Sequence, residues 1–184
     1  MLTTGGIRGS KYSVDKFLPR SFNMGVKKKN FLKVGGFSSM RFGEDLDLTY
    51  RLLSSGAKSS IIKNAYVYHK RRNNLFGFFN QIYSSGDVRL KLNQKHKGTF
   101  RFFHLFPSVF IIFFVLLCLL LLFKIDSNLI LLLRFIYGIY FMFIFLESSI
   151  LNKNLIVGFL SVITTFIQFF AYGIGYLSAW IKNY

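Results

Sequence analysis

The sequence predicts a small α/β segment, residues 1–101, followed by a membrane domain of three transmembrane α-helices, residues 102–184. Three observations predict it. Apolar stretches at 102–123, 129–147 and 155–181 each approach the ~20 residues that cross a bilayer as a helix. Leu46, Leu48, Leu52 and Leu53 recur at helical spacing and are followed by alternating side chains at 65–69, the two periods that mark a helix and then a strand. The charge is lopsided: of 24 Lys and Arg, 20 lie within residues 1–106, with 5 of the 7 Asp and Glu.

The elements follow in order. Residues 1–30 are rich in Gly, Ser and Lys with little periodicity, and Leu18-Pro19-Arg20 reads as extended or turn because proline disfavours helix at the residue before it. A short ordered piece at Phe31-Leu32-Lys33-Val34 ends in Gly35-Gly36, where a tight turn needs glycine's permissive backbone. A helix follows from Glu44 to Ser55, with Gly56 placed as its C-terminal cap. Ile61-Ile62 and Ala65–His69 read as one strand or two short ones. Leu75, Phe76, Phe79, Ile82 and Tyr83 then fall at helical intervals between the basic groups Lys70-Arg71-Arg72 and Arg89/Lys91. That pattern fits a helix lying in the membrane surface, or an ordinary helix facing a core. Within the spans, Arg134 sits near an end, from which a long side chain reaches the interface. Thr164, Thr165 and Gln168, with Gly173 and Gly175, suit helix packing by hydrogen bonds and close approach.

Charge and cysteine usage narrow the function classes. Basic flanks stay on the cytoplasmic side of a bilayer, so the N-terminal domain is expected in the cytoplasm, with a multi-pass anchor in a bacterial cytoplasmic (inner) membrane. The net charge of +17 is accounted for by anionic lipid, the expected partner surface, and nucleic acid is not expected. Cys118 is the one cysteine and lies in the first span, which removes disulfide and C-x-x-C metal chemistry. The N-terminus has no apolar core of the kind that marks a secretory signal. No acidic or histidine relay crosses the spans, so a pore or proton-coupled transporter is not indicated.

The chemistry-bearing constellation is Gly43-Glu44-Asp45-Leu46-Asp47, three carboxylates in five residues. At a helix start, unpaired N–H groups and the positive dipole end favour carboxylates, so capping alone is one explanation. The other comes from order and context. Ser21-Phe22-Asn23-Met24-Gly25, Val34-Gly35-Gly36-Phe37, Gly43-Glu44-Asp45-Leu46-Asp47-Leu48, Arg51-Leu52, Gly56 and a strand ending in His69, then Gln81, Gly86 and Arg89, together resemble the C-terminal half of a membrane-bound family 2 glycosyltransferase.

The resemblance implies an α/β fragment of a GT-A-type nucleotide-sugar transferase and an inverting transfer of a sugar from a nucleotide sugar to a glycan or lipid-linked acceptor. It makes Asp45 the general base, with Glu44 orienting it or binding acceptor hydroxyls. His69 is placed near the donor diphosphate or its metal, or is a polar residue satisfied locally. Arg71 and Arg72 either clamp the diphosphate or form a basic anchor. Gln81 is a substrate-binding candidate through a partial likeness to the Q-x-x-R-W element of processive members, with Arg89 at a different spacing and no Trp. Asp45-Leu46-Asp47 has D-x-D spacing, but it follows Phe42-Gly43 and opens a helix, so Asp47 reads as capping or structural.

The family's nucleotide-binding units do not precede Gly25, and no G-x-G-x-x-G or P-loop occurs. The chain is therefore expected to be incomplete as an enzyme and to bind no nucleotide sugar or metal alone. A divalent metal (Mg or Mn) and a separate N-terminal half are expected for the complete enzyme. The alternative is a non-catalytic multi-pass membrane scaffold or accessory subunit in which the acidic cluster only caps a helix.

Overall fold

A computed structural model describes residues 18–19, 21–62, 64–68, 74–125 and 127–182. Among the described residues six α-helices form: α1 Lys28–Lys33, α2 Glu44–Ser54, α3 Leu75–Lys95, α4 Phe106–Leu122, α5 Asn128–Asn152 and α6 Leu155–Lys182. Among the described residues there is no strand. The expected α/β fragment is thus corrected to an all-helical arrangement. Residues 57–62 and 65–68 are irregular, and Ala65 N–H turns back to the Ile62 carbonyl at 3.0 Å. Tyr68 is 94% exposed, and Ile62, Tyr66 and Val67 also face outward. An alternating pattern becomes a strand only where a neighbouring strand satisfies its backbone, and no described strand pairs with this segment, whose Ala65 carbonyl instead accepts from the Asn23 side-chain amide at 3.4 Å.

The helical expectations fare better. α2 ends at Ser54, one residue short of the expected limit, and Gly56 adopts φ 86°. Ala57 N–H then reaches the Leu52 carbonyl at 3.1 Å, closing the helix end as a left-handed cap does. The piece around Phe31 is a short helix starting already at Lys28, and Gly36 N–H returns to the Phe31 carbonyl at 2.9 Å. α3 opens with the Asn74 side chain accepting Gly77 N–H at 2.6 Å, a side-chain cap on a free helix N-terminus.

α5 and α6 are both long and apolar enough to cross a membrane. The first apolar stretch becomes a helix only from Phe106, four residues later than expected, because Phe102–His104 wind as a 3-10 turn and Pro107 sits at the helix start, the one place in a helix where its missing N–H is harmless. At 17 residues, α4 is shorter than the other two.

α6 is the hub. Each contact it makes is opened by a glycine: Gly158 against Phe145 and Ser149 of α5, Gly173 against Pro107 and Ile111 of α4, and Gly175 against the Tyr83 carbonyl of α3. A Cβ at any of the three would strike main-chain atoms of the neighbour. In lipid, where apolar burial drives little association, such close approach is what holds helices together. Phe110, Tyr137 and Phe169 join α4, α5 and α6, with ring centroids 4.9 and 4.8 Å from Phe110, and the Tyr137 hydroxyl donates to the Phe110 carbonyl at 2.6 Å. Thr164, expected to bond between helices, instead donates to the Leu160 and Ser161 carbonyls of its own helix, the local bond a threonine hydroxyl makes readily.

α3 runs antiparallel to α6. Tyr83 donates to Ser178 Oγ at 3.0 Å, and a Cβ on Gly86 would strike the Tyr172 carbonyl. Ahead of α4, His104 is buried and its Nδ1 accepts the Arg101 N–H at 3.2 Å. Burial, then the charges of Arg89 and Arg101, push its pKa down to about 4. The folded chain therefore holds His104 neutral where the unfolded chain protonates it, so its contribution is intact above its ordinary value of 6.5 and is lost as pH falls toward 4. The melting temperature in detergent should decline across that window. His104→Gln should flatten the decline, and an unchanged slope in that variant would show that the charge change lies elsewhere.

Candidate functional site

The site is built on the first turn of α2. Gly43 precedes it at φ 73°, a left-handed conformation that costs glycine nothing. Its lack of a side chain also lets α3 approach, since a Cβ there would lie 3.1 Å from Val88 and 3.3 Å from Leu92. Leu46, Val88 and Leu92 form the small core under this turn, with Met40 and Tyr50 against it. α2 is thereby fixed to α3, and α3 to α6.

The three carboxylates divide sharply. Asp47 is fully buried. Its Oδ2 accepts from Arg51 at 2.9 Å, and its Oδ1 meets Lys95 Nζ and His96 Nε2, each at 2.8 Å. Burial pushes its pKa up, but the hydrogen bonds, chiefly from Lys95 and His96, win and hold the carboxyl well below the usual range. Arg51 carries the network onward, donating to the carbonyls of Val34 and Gly36. One ion-pair node thus ties the Val-Gly-Gly turn, the acidic turn, the Arg-Leu pair and the end of α3 into a single unit. The structural role expected for Asp47 has these partners.

Asp45 is 7% exposed, and its Oδ1 accepts the Leu46 N–H at 2.7 Å, while its main-chain carbonyl takes the Thr49 hydroxyl at 2.7 Å. Glu44 beside it is half-buried. With both Asp47 oxygens engaged by cations, the D-x-D spacing of Asp45 and Asp47 does not make a divalent-metal site. Among the described residues no group of three or more His, Cys, Asp or Glu is placed to hold a metal.

Gln81 lies on the exposed side of α3 and its carbonyl accepts the Ser85 hydroxyl at 2.9 Å. It is seven residues ahead of Val88, about 10 Å along the helix axis, and is not drawn into the unit around Asp47. His69, Arg71 and Arg72 lie outside the described residues.

Lys95 and His96 carry no motif in the sequence. They stand 48 and 49 positions after Asp47, a separation that no local spacing rule detects. Arg51 was within reach of such a rule, since an acid followed four residues later by a base is a helix-surface pair. Compared with protein-family models, curated proteins and solved structures, the chain matches none.

Proposed function

We propose that this chain is the membrane-attached, base-bearing part of an inverting sugar transferase that works at the membrane surface. The observation that carries the reading is the unit just described: Arg51 binds Asp47 and the Val34 and Gly36 carbonyls, so stretches quoted for their order along the chain are also physically one piece, with Asp45 on its first helical turn.

In this reading Asp45 is the general base. The acceptor hydroxyl gives its proton to the Asp45 carboxylate as its oxygen attacks the anomeric carbon. The bond from that carbon to the diphosphate breaks, and its electron pair leaves with the nucleoside diphosphate. The step needs a carboxylate within hydrogen-bond reach of the acceptor hydroxyl. Glu44 holds an acceptor hydroxyl in line. The donor is a nucleotide sugar and the acceptor a glycan or lipid-linked sugar. The nucleotide and its divalent cation are held by a separate nucleotide-binding polypeptide, with His69, Arg71, Arg72 and Gln81 on the donor side. α4 joins α5 and α6 as a third span of a bacterial cytoplasmic membrane, and the basic N-terminal part faces the cytoplasm.

A second reading is favoured by the burial of Asp45 and its bond from the Leu46 N–H: a non-catalytic membrane scaffold in which the acidic turn only starts a helix. The two separate cleanly. Membranes from cells carrying the chain at its own locus are supplied with radiolabelled UDP-glucose, UDP-N-acetylglucosamine and GDP-mannose. Asp45→Asn should lower incorporation of label by about 10²- to 10⁴-fold, the usual worth of a positioned base, with the amount of protein unchanged. Undiminished incorporation in the variant, or none from any donor with the unaltered chain, would leave the scaffold reading standing.

A further inference from the structure

Hydrogen-bond donors that lack an acceptor gather where the C-terminal half of α3 meets the 3-10 turn ahead of α4. Arg89 Nε and Asn93 Nδ2 are both buried without a partner, and their four-residue spacing stacks them on one face of α3. The Arg89 side chain meets the Tyr172 hydroxyl, a neutral group. Leu105 packs with Leu90 and Tyr172, which brings the adjoining turn to the same corner. There His104 Nδ1 accepts from the Arg101 main chain. The ring proton is thereby on Nε2, a donor without an acceptor among the described residues.

Among the described residues no carboxylate forms an ion pair with these groups. Among the described residues neither Arg89 nor Arg101 is in an ion pair, and Asp87, the acid of α3, is taken by Lys91 at 2.7 Å. A buried donor left unmade costs about 1–3 kcal/mol, so two on one helix face point to an acceptor from outside the chain. Two guanidiniums, an amide N–H and an imidazole N–H suit a tetrahedral oxyanion, which guanidinium forks bind two oxygens at a time.

The surroundings say what carries that anion. Phe102 is 84% and Phe103 66% exposed within this turn, Phe106 is exposed after it, and the apolar α4 begins there. Exposed phenyl rings beside basic groups at the head of an apolar helix suit the boundary between headgroups and acyl chains. We propose that Arg89, Asn93, Arg101 and His104 form a binding site for the phosphate group of a membrane lipid. The site stands whether or not the chain takes part in sugar transfer.

Native mass spectrometry of the full chain in detergent tests it, with phosphatidic acid, diacylglycerol of the same acyl chains and inorganic phosphate as probes. One phosphatidic acid should bind per chain, at least tenfold tighter than diacylglycerol. Arg89→Gln and Arg101→Gln should each weaken it fivefold or more, and Arg89→Lys should weaken it too, because the charge stays while the fork is lost. Arg101 is exposed, so its replacement leaves the packing intact. Lys91→Gln, which removes the same charge from another face of α3, should change affinity less than twofold. Equal weakening by Lys91→Gln would reduce the site to diffuse attraction and overturn it. Displacement of phosphatidic acid by an equal concentration of inorganic phosphate would overturn the assignment to a lipid.

Discussion

Gly175→Leu is expected to detach α3 from α6 and with it the whole acidic unit from the long apolar helices. A Cβ at position 175 strikes the Tyr83 carbonyl and crowds the Asp87 amide 3.1 Å away. Neither is the far end of a flexible side chain, so the two helix backbones must separate. Separation also removes the Tyr83–Ser178 hydrogen bond and the packing of Leu90 on Tyr176 and Ala179. Overpacking a core costs about 1–3 kcal/mol where side chains can yield. Here backbone must yield, so we expect the upper end or beyond, a fall of about 6–12 °C in melting temperature for a chain of this size. Hydrogen exchange across residues 75–95 should accelerate in parallel. Gly138→Leu is the matched control: nothing lies within 4 Å of a Cβ there, and it should melt within about 1 °C of the parent. Equal melting of the two variants would dismiss glycine packing as the joint.

Asp47→Ala is expected to be the most damaging change in the acidic turn, more so than any change at Asp45. It leaves Arg51, Lys95 and His96 facing one another around an empty position. Removing one partner from a buried ion pair costs about 3–5 kcal/mol; with Lys95 46% exposed and screened by water, about 3 kcal/mol is expected. Asp87→Ala, which breaks the more open pair with Lys91, should cost less than about 1 kcal/mol. The pH dependence has a fixed sign. The folded carboxyl titrates below its ordinary value of 3.8, so its contribution is present above that value and is lost as pH falls beneath it. Asp47→Asn should therefore lower stability at pH 7 and narrow its difference from the parent at pH 3. A constant difference between the two pH values would show that the charge is not what the site uses.

These two results probe different levels of what the sequence discloses. α2 was legible because its evidence is local: leucines at helical spacing, acids at the start and glycine at position 56 all act within one element. The apolar helices were legible by composition, although the start of α4 was not, since a 3-10 turn and a helix have nearly the same apolar content. The alternation at 61–62 and 65–68 makes no strand, for the opposite reason. Period-two alternation says which side chains would share a face, and only a neighbouring strand can make that face exist.

The candidate site shows the same divide. Glu44 and Asp45 stand out by their crowding and order, and the four-residue spacing to Arg51 marks Asp47 as a local pair, but its burial as an ion-pair node has no local signal. That burial comes from Lys95 and His96 at the far end of another helix, and from main-chain carbonyls of Val34 and Gly36 that have no sequence signature at all.

By itself the sequence determined where apolar helices form, where charge accumulates and which turn carries the acids, because each depends on neighbours a few residues away. Tertiary structure alone decided that Asp47 is an ion-pair node, that α6 is the hub through its glycines, and that Arg89 and His104 share a corner. Those depend on which backbones can touch and which charges meet once distant segments are brought together.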